Sequence, residues 1–385
     1  MDLELVPIIY VALFAAMMLM LYLSGKHLDK AQYIALGIIA FTLNEGLRFG
    51  RGIDYNMYAA NFYDIKNGGI DDWDIGFRLL NEFVFHIGGN WQIIVMIMSF
   101  TLILSGYFLA KEHEDVAKLM LPLFAYFTLA AETLMRWYFA LSLIWIGICF
   151  LLNKKNKYAI ALFLLSLTVH IGTIIVLPIF ILFLFFKKPL LNPVWTFSLY
   201  IVIALFFQTD IMLNLMPLLD GLSLGERYSG YQDNLEYWLT SGFAGVEQSA
   251  FPAIYKLLEY ILIIFLGYKL CFIKSSKYTL AYNIYVLAFL LEPLSRKIEL
   301  FQRVDYSFSM FGAIVLAYIL VNYKLVYRKG IVTFFILFVM LNSSRVVLVS
   351  AFSGSPYHYL YVWNSNGKKY IDPGKYYIDY WSKKH

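Results

Sequence analysis

Residues Val6 to Leu23 read VPIIYVALFAAMMLMLYL, eighteen positions with no charge among them. Wound as a helix at about 1.5 Å per residue, such a run crosses nearly all of the roughly 30 Å of hydrocarbon in a bilayer. No basic segment precedes it and no small-residue cleavage site follows it, so it reads as a retained membrane span and not as a signal peptide.

The rest of the chain repeats the pattern. Together with the first run, taken as 4–23, apolar stretches at 31–47, 90–110, 119–132, 136–152, 158–170, 171–186, 194–207, 253–271, 278–292, 303–321 and 331–349 predict about twelve transmembrane helices. Lipid offers the backbone no hydrogen-bond partner, so helices are the sensible form for such runs. Composition agrees: 61% of residues are hydrophobic, 15% are charged, and mean hydropathy is +0.65. A soluble chain of this size carries roughly a quarter charged residues to solvate its surface. The expected fold class is therefore all-α, a polytopic integral membrane protein forming a single transmembrane domain over residues 1–385. The net charge of +5 is scattered, which argues against a nucleic-acid partner. Cys149 and Cys271 sit inside apolar runs and read as small core hydrophobes.

Orientation follows from basic residues in short turns. The turns Ser24–Lys30, Lys111–Lys118, Asn153–Lys157, Lys187–Pro193, Phe272–Lys277 and Asn322–Gly330 are lysine-rich and alternate with lysine-poor ones. Placing them in the cytoplasm puts both termini outside, with long extracytoplasmic segments at 48–89, 208–252 and 350–385. In that topology only Arg328 of the nine arginines is cytoplasmic; Arg48, Arg51, Arg78, Arg136, Arg227, Arg296, Arg303 and Arg345 lie at or near the outer face. Positive charge alone signals topology, and lysine supplies it. Arginine adds a planar fork that grips phosphate or carboxylate in a partly desolvated place. The split therefore points to an anionic ligand at the outer surface. The plainer reading, arginines paired with outer carboxylates or lipid phosphates, holds for any one of them at even odds.

Several short motifs lie in this outer region. One is Arg48-Phe-Gly-Arg51-Gly52-Ile-Asp54-Tyr55, followed by Tyr58; a second is Asp71-Asp-Trp-Asp74-Ile-Gly76-Phe77-Arg78. Glu132-Thr-Leu-Met-Arg136, His170-Ile-Gly-Thr and Gln302-Arg303-Val-Asp305-Tyr306 follow. Glycine beside arginine lets the backbone approach a ligand closely. Asp54 is the first choice for an acid/base or acceptor-orienting group, against its reading as an ion-pair partner of Arg48 or Arg51. His170 is the alternative base, against a histidine merely bonded to a neighbouring helix. Glu45 is expected to pair with Arg136 or Arg303. Tyr58, Trp137 and Tyr306 are candidate sugar-stacking surfaces. Asp71, Asp72 and Asp74 match no defined metal spacing, so no metal is expected.

The series of motifs resembles the EpsG-like branch of the Wzy-type bacterial polysaccharide polymerases. Arg48, Gly52, Asp54 and Tyr55 match its first element, and Arg136, His170 and Arg303 match later ones; Asp74 stands where glutamate is more usual. The resemblance implies a membrane glycosyltransferase, with a GT-C-like fold among the architectures it suggests, in the bacterial cytoplasmic membrane with its site facing outward. It would polymerise oligosaccharide repeat units carried on undecaprenyl pyrophosphate, need no cofactor, and work beside a flippase and a chain-length regulator. On this reading Asp54, His170 and Asp74 are the catalytic candidates. Arg48, Arg51, Tyr58, Arg136, Arg303, Arg345 and Glu45 hold substrate. An O-antigen ligase or another outer-face transferase shares the arginines and differs in acceptor. A transporter would need repeated halves with broken helices, and no repeat is seen.

Single cysteines introduced at Asn67 and Asn234 are expected to react with an impermeant thiol reagent in intact cells, and one at Asn156 to be protected. The opposite labelling pattern inverts the topology.

Overall fold

The computed structural model describes residues 6–52, 54–208, 250–295, 299–326, 360–365 and 367–372. Among these residues the chain is helical, and the sole strand-like feature is one antiparallel bridge between Arg48 and Tyr361. The run 331–349, Arg227, Arg296, Arg328 and Arg345 lie outside the described residues, as do most of segments 208–252 and 350–385.

Helices lie on the predicted apolar stretches up to 303–321, and two more, Tyr55–Tyr63 and Ile75–His86, lie within the segment 48–89. They are α1 (Val6–Lys26), α2 (Ala31–Gly46), α3 (Tyr55–Tyr63), α4 (Ile75–His86), α5 (Trp91–Glu112), α6 (Ala117–Phe127), α7 (Met135–Leu152), α8 (Asn156–Val169) and α9 (Val176–Phe183). Then come α10 (Pro193–Gln208), α11 (Ala250–Tyr268), α12 (Ser276–Ser295), α13 (Glu299–Ser309) and α14 (Gly312–Val326). Four described helices are long and apolar enough to cross a membrane: Ile8–Lys26, Trp91–Glu112, Met135–Leu152 and Phe301–Asn322, the last running across the junction of α13 and α14. Asn156–Val169, Ile171–Phe183 and Pro193–Phe206 are shorter apolar helices.

One predicted span ends early, and the expected division between 158–170 and 171–186 falls at His170, each for a local reason. The run 119–132 carries Pro122 and ends as a helix at Phe127. There the Thr128 hydroxyl donates to the Phe124 carbonyl (2.8 Å), and the chain tightens into a 3-10 turn, Leu129–Glu132. A side chain that bonds backward onto its own helix competes with the next helical turn. Glu132 therefore sits in the connection between α6 and α7. The run from 158 to 186 breaks at His170, whose backbone is extended, and a 3-10 turn (Ile171–Ile174) precedes α9.

Two compact units divide the chain, Met1–Ile181 with Lys329–His385, and Leu182–Arg328. In the first, α7 is the central post: 78% of its membrane window is buried, against 33% for α1. Helices α1, α2, α5, α6 and α8 pack in neighbouring pairs around it. Tyr158, Ile160 and Leu164 of α8 stay exposed, as an apolar face given to lipid does. In the second unit, buried acids are held by tyrosines. The Tyr200 hydroxyl donates to Glu292 (2.8 Å) and that of Tyr260 to Asp305 (3.1 Å), while Tyr200 stacks on Phe289 at 4.3 Å.

Small residues set the helix spacing, because lipid gives helices no hydrophobic drive to associate and close van der Waals fit must supply it. A Cβ placed on Gly25 would lie 2.8 Å from Lys118 Cα and nearer still to the Ala117 carbonyl, both backbone atoms that cannot rotate away. Overpacking of this kind costs about 1–3 kcal/mol. Gly25→Val is expected to lower the thermal unfolding midpoint in detergent; an unchanged midpoint would mean that α1 and α6 do not meet there.

Candidate functional site

The loop after α2 carries the first motif, and the structure anchors it from three directions. Gln92, second residue of α5, donates to the carbonyls of Gly46 and Arg48 (3.0 Å to the latter) and accepts from the Tyr55 hydroxyl (3.1 Å). From the C-terminal side, Phe49 donates to the Leu360 carbonyl and Val362 to that of Leu47, both at 2.9 Å. From the α6–α7 turn, the Glu132 carbonyl packs against Gly52, whose φ is +90°. A side chain there would overlap that carbonyl, so the glycine after Arg51 permits a close backbone approach, here to the protein's own chain.

Two charged clusters result. In the first, Arg51 has no exposed surface. It reaches the Glu132 carboxylate at 3.1 Å and donates to the Asn44 carbonyl at 3.0 Å. The rings of Tyr10 and Tyr361 lie 5.2 and 4.9 Å from the guanidinium carbon. Arg48 pairs with Glu45 at 3.4 Å, and Asn44 donates to the same carboxylate at 2.8 Å. Glu45 thus pairs with Arg48, three residues on, while Arg136, one of its two expected partners, pairs with Asp74. Together these residues form a quartet of two acids and two arginines, in which each arginine feels both acids.

Burial governs the electrostatics of the quartet. It lowers the pKa of Arg48, opposed by Glu45 and Glu132. Burial would do the same to Arg51, but Glu132 and Glu45, with Tyr361 and Tyr10, outweigh it and raise that guanidinium above its ordinary value. Burial also pushes the Glu132 carboxyl up to about 7, with Arg51 pulling it down and Glu45 adding to the rise. Burial likewise raises the phenols of Tyr55 and Tyr361. Glu132 keeps 19% of its side-chain surface accessible, where Arg51 keeps none.

The second cluster surrounds Arg136, the second residue of α7. Its guanidinium lies 3.7 Å from Asp74, which caps α4, and over the rings of Tyr58 and Phe77 at 5.7 and 5.9 Å. Tyr58 is buried against Trp73, Phe77 and Trp91, and Trp137 is buried edge-on to His170. The His170 Nδ1 accepts from the Gly172 amide at 3.1 Å. A ring that accepts at Nδ1 carries its proton on Nε2, so in this tautomer the imidazole presents a donor. Asp54 immediately precedes α3 and is half-buried; its carbonyl accepts from the Tyr58 amide at 3.0 Å. Arg303, with Tyr306, stands on α13 in the second unit. No group of three or more metal-ligating side chains occurs among the described residues.

Arg48, Arg51 and Arg136 all keep buried nitrogens without a hydrogen bond among the described residues. Arg51 is ion-paired to Glu132 and bonded to the Asn44 carbonyl, yet its Nε and Nη1 are among them. Arg48 Nε is buried with no hydrogen-bond partner among the described residues, and the side chain lines a narrow cavity with Glu45, Thr128 and Tyr138. Arg136 Nε and Nη1 are likewise buried with no hydrogen bond. Arg48, Arg51 and Arg136 were expected from the sequence; Glu132 stood in a motif with no role assigned to it, and Asn44, Gln92 and Tyr361 were not singled out. For Glu132 a signal existed, a carboxylate one helical turn before an arginine at the mouth of a span. For Tyr361 none did.

Buried arginines and carboxyls thus gather near the ends of the helices of a membrane protein. The sequence comparison narrows this: the chain belongs to the EpsG family, whose model matches residues 30–361. That is a family of polymerase-like membrane proteins of polysaccharide biosynthesis. No curated protein and no solved structure matches the chain.

Because the Glu132 carboxyl is raised from the ordinary range to about 7, its protonated form is the one favoured in the folded state. Its contribution to stability is complete below the ordinary carboxylate pKa and is lost as pH rises through about 7. Unfolding in mild detergent from pH 5 to 8 should show that decline in the wild type and a flatter profile in Glu132→Gln. Equal slopes would refute the raised carboxyl.

Proposed function

We propose that the protein is a glycosyltransferase that polymerises polysaccharide repeat units carried on undecaprenyl pyrophosphate, working at the outer face of the bacterial cytoplasmic membrane. On this reading the shorter helices complete a bundle of about twelve spans, with a flippase and a chain-length regulator as partners. The observation that carries the proposal is the unused hydrogen-bonding capacity of buried guanidinium nitrogens on Arg48, Arg51 and Arg136. Of these, Arg48 lines a cavity and Arg136 is partly exposed, whereas Arg51 is fully enclosed. A buried donor without a partner costs about 1–3 kcal/mol. A pyrophosphate oxygen entering the site removes that penalty and gains charge-assisted bonds.

The chemistry is a displacement at an anomeric carbon. An acceptor hydroxyl oxygen forms the new C–O bond, and the bond to the pyrophosphate breaks with its electron pair leaving on the phosphate oxygen. The hydroxyl proton passes to a protein base. Negative charge grows on the leaving group as the bond lengthens, so fixed guanidinium groups aimed at it stabilise the transition state more than the ground state. Asp54 is one candidate for the base and Glu132 the other. Glu132 is favoured by its partial accessibility beside the arginines and by a pKa near working pH, where general base catalysis is most effective. The His170 tautomer suits donation to a sugar or phosphate oxygen better than proton abstraction. A ligase using the same donor would differ only in acceptor.

Deletion of the gene is expected to leave single repeat units on the lipid carrier. Arg48→Lys and Arg136→Lys keep the charge and lose the fork, and polymer should fall by at least tenfold with normal protein in the membrane. Removing a base lowers the rate about 10²–10⁴-fold, so Glu132→Gln and Asp54→Asn identify which carboxyl serves. Normal polymer from both lysine variants would end the arginine proposal.

A further inference from the structure

The aromatic residues expected to stack on sugar do not offer a ring. Tyr58 and Trp137 are buried among other side chains, and Tyr306 is half-buried on α13. The C-terminal segment does offer one. Trp363 is 48% exposed and lies on a single 3-10 turn, Val362–Asn364, beside the arginine quartet. Its ring stacks on that of Tyr361 with centroids 4.5 Å apart and planes 11° from parallel.

Tyr361 is itself immobilised. Its hydroxyl donates to Asn44 (2.7 Å), its ring carries the Arg51 guanidinium, and its backbone amide donates to the Asn364 side chain (3.0 Å). Farther along, the Ile371 amide donates to Asn56 (3.0 Å), and Lys369 lies over the Tyr63 ring at 4.6 Å. The plane of Trp363 is thus set by the same contacts that set Arg51. Its neighbours in the chain are Asn364, Ser365, Gly367, Lys368 and Lys369, a hydrophilic set suited to water and not to hydrocarbon.

We propose that Trp363 is a saccharide-binding platform, on which a pyranose ring of the lipid-linked repeat unit packs while its hydroxyls meet the polar groups around the turn. A sugar ring presents a face of C–H bonds and an edge of hydroxyls, so it matches a flat aromatic ring bordered by hydrogen-bonding groups. One ring face is occupied by Tyr361, which fixes the tilt at no entropic expense when sugar arrives. The proposal rests on the glycosyltransferase reading of the neighbouring site. It adds that the site recognises carbohydrate through the C-terminal segment and not through Tyr58, Trp137 or Tyr306.

The test uses the full-length protein in proteoliposomes, supplied with lipid-linked repeat units extracted from a strain lacking the gene. Aromatic contact of this kind changes affinity by roughly three- to tenfold. Trp363→Leu should raise KM by that factor with kcat within twofold of wild type, and Trp363→Phe should restore most of the difference. An unchanged KM in Trp363→Leu overturns the platform, and so does an equal loss in the Leu and Phe variants, which would mark a packing role. Quenching of the emission lost in Trp363→Phe by brominated phospholipid would place the ring in lipid and overturn it too. If wild-type protein makes no polymer at all, the glycosyltransferase reading fails and the platform with it. If wild type polymerises, Arg48→Lys does not, and Trp363→Leu matches wild type in both constants, the platform alone fails.

Discussion

A guanidinium group with no exposed surface has to be neutralised and hydrogen-bonded where it lies, and Arg51 recruits four distant parts of the chain to do so. Tyr10 comes from α1, Asn44 from the end of α2, Glu132 from the α6–α7 turn and Tyr361 from the C-terminal segment. Removing one partner from a buried ion pair destabilises by about 3–5 kcal/mol, because the other charge is left in a medium that cannot solvate it. That penalty fixes the loop after α2, and the loop in turn fixes Arg48 and the start of α3.

The same constraint separates two jobs that look identical in a sequence. Arg48, Arg51 and Arg136 all stand near span ends and all belong to one set of motifs. What distinguishes them is access: Arg51 is enclosed by aromatic rings and carboxylate, whereas Arg48 lines a cavity and Arg136 keeps 15% of its side-chain surface exposed. The distribution of arginines along the chain pointed to an anion site, but it carried no information about which arginine is structural.

Helix positions were readable because the rule behind them is local: an apolar run in lipid must satisfy its own backbone. Hence Ala31–Gly46, Trp91–Glu112 and Met135–Leu152 fall on the predicted stretches almost to the residue. One break was less readable. The end of α6 depends on Thr128 bonding back onto Phe124, a choice that hydropathy averages away, whereas the end of α8 at His170 was expected. Partners were the least readable. Asp54, three residues from Arg51, was the natural partner to expect, yet the ion pair goes to Glu132, because the positive φ at Gly52 turns the chain onto the α6–α7 connection. Sequence proximity is a poor guide to pairing wherever the backbone reverses within a few residues.

The contact between Asn44 and Tyr361 joins residues 317 positions apart. A ribosome adding roughly 5–20 residues per second needs on the order of 15–60 s to deliver the second after the first. For that interval α1 and α2 are already made while the Arg51 guanidinium lacks its last aromatic partner. The first cluster is therefore the earliest part of the molecule to be begun and among the last to be closed. A chain halted before residue 361 lacks both the ring that covers the Arg51 guanidinium and the hydroxyl that bonds Asn44.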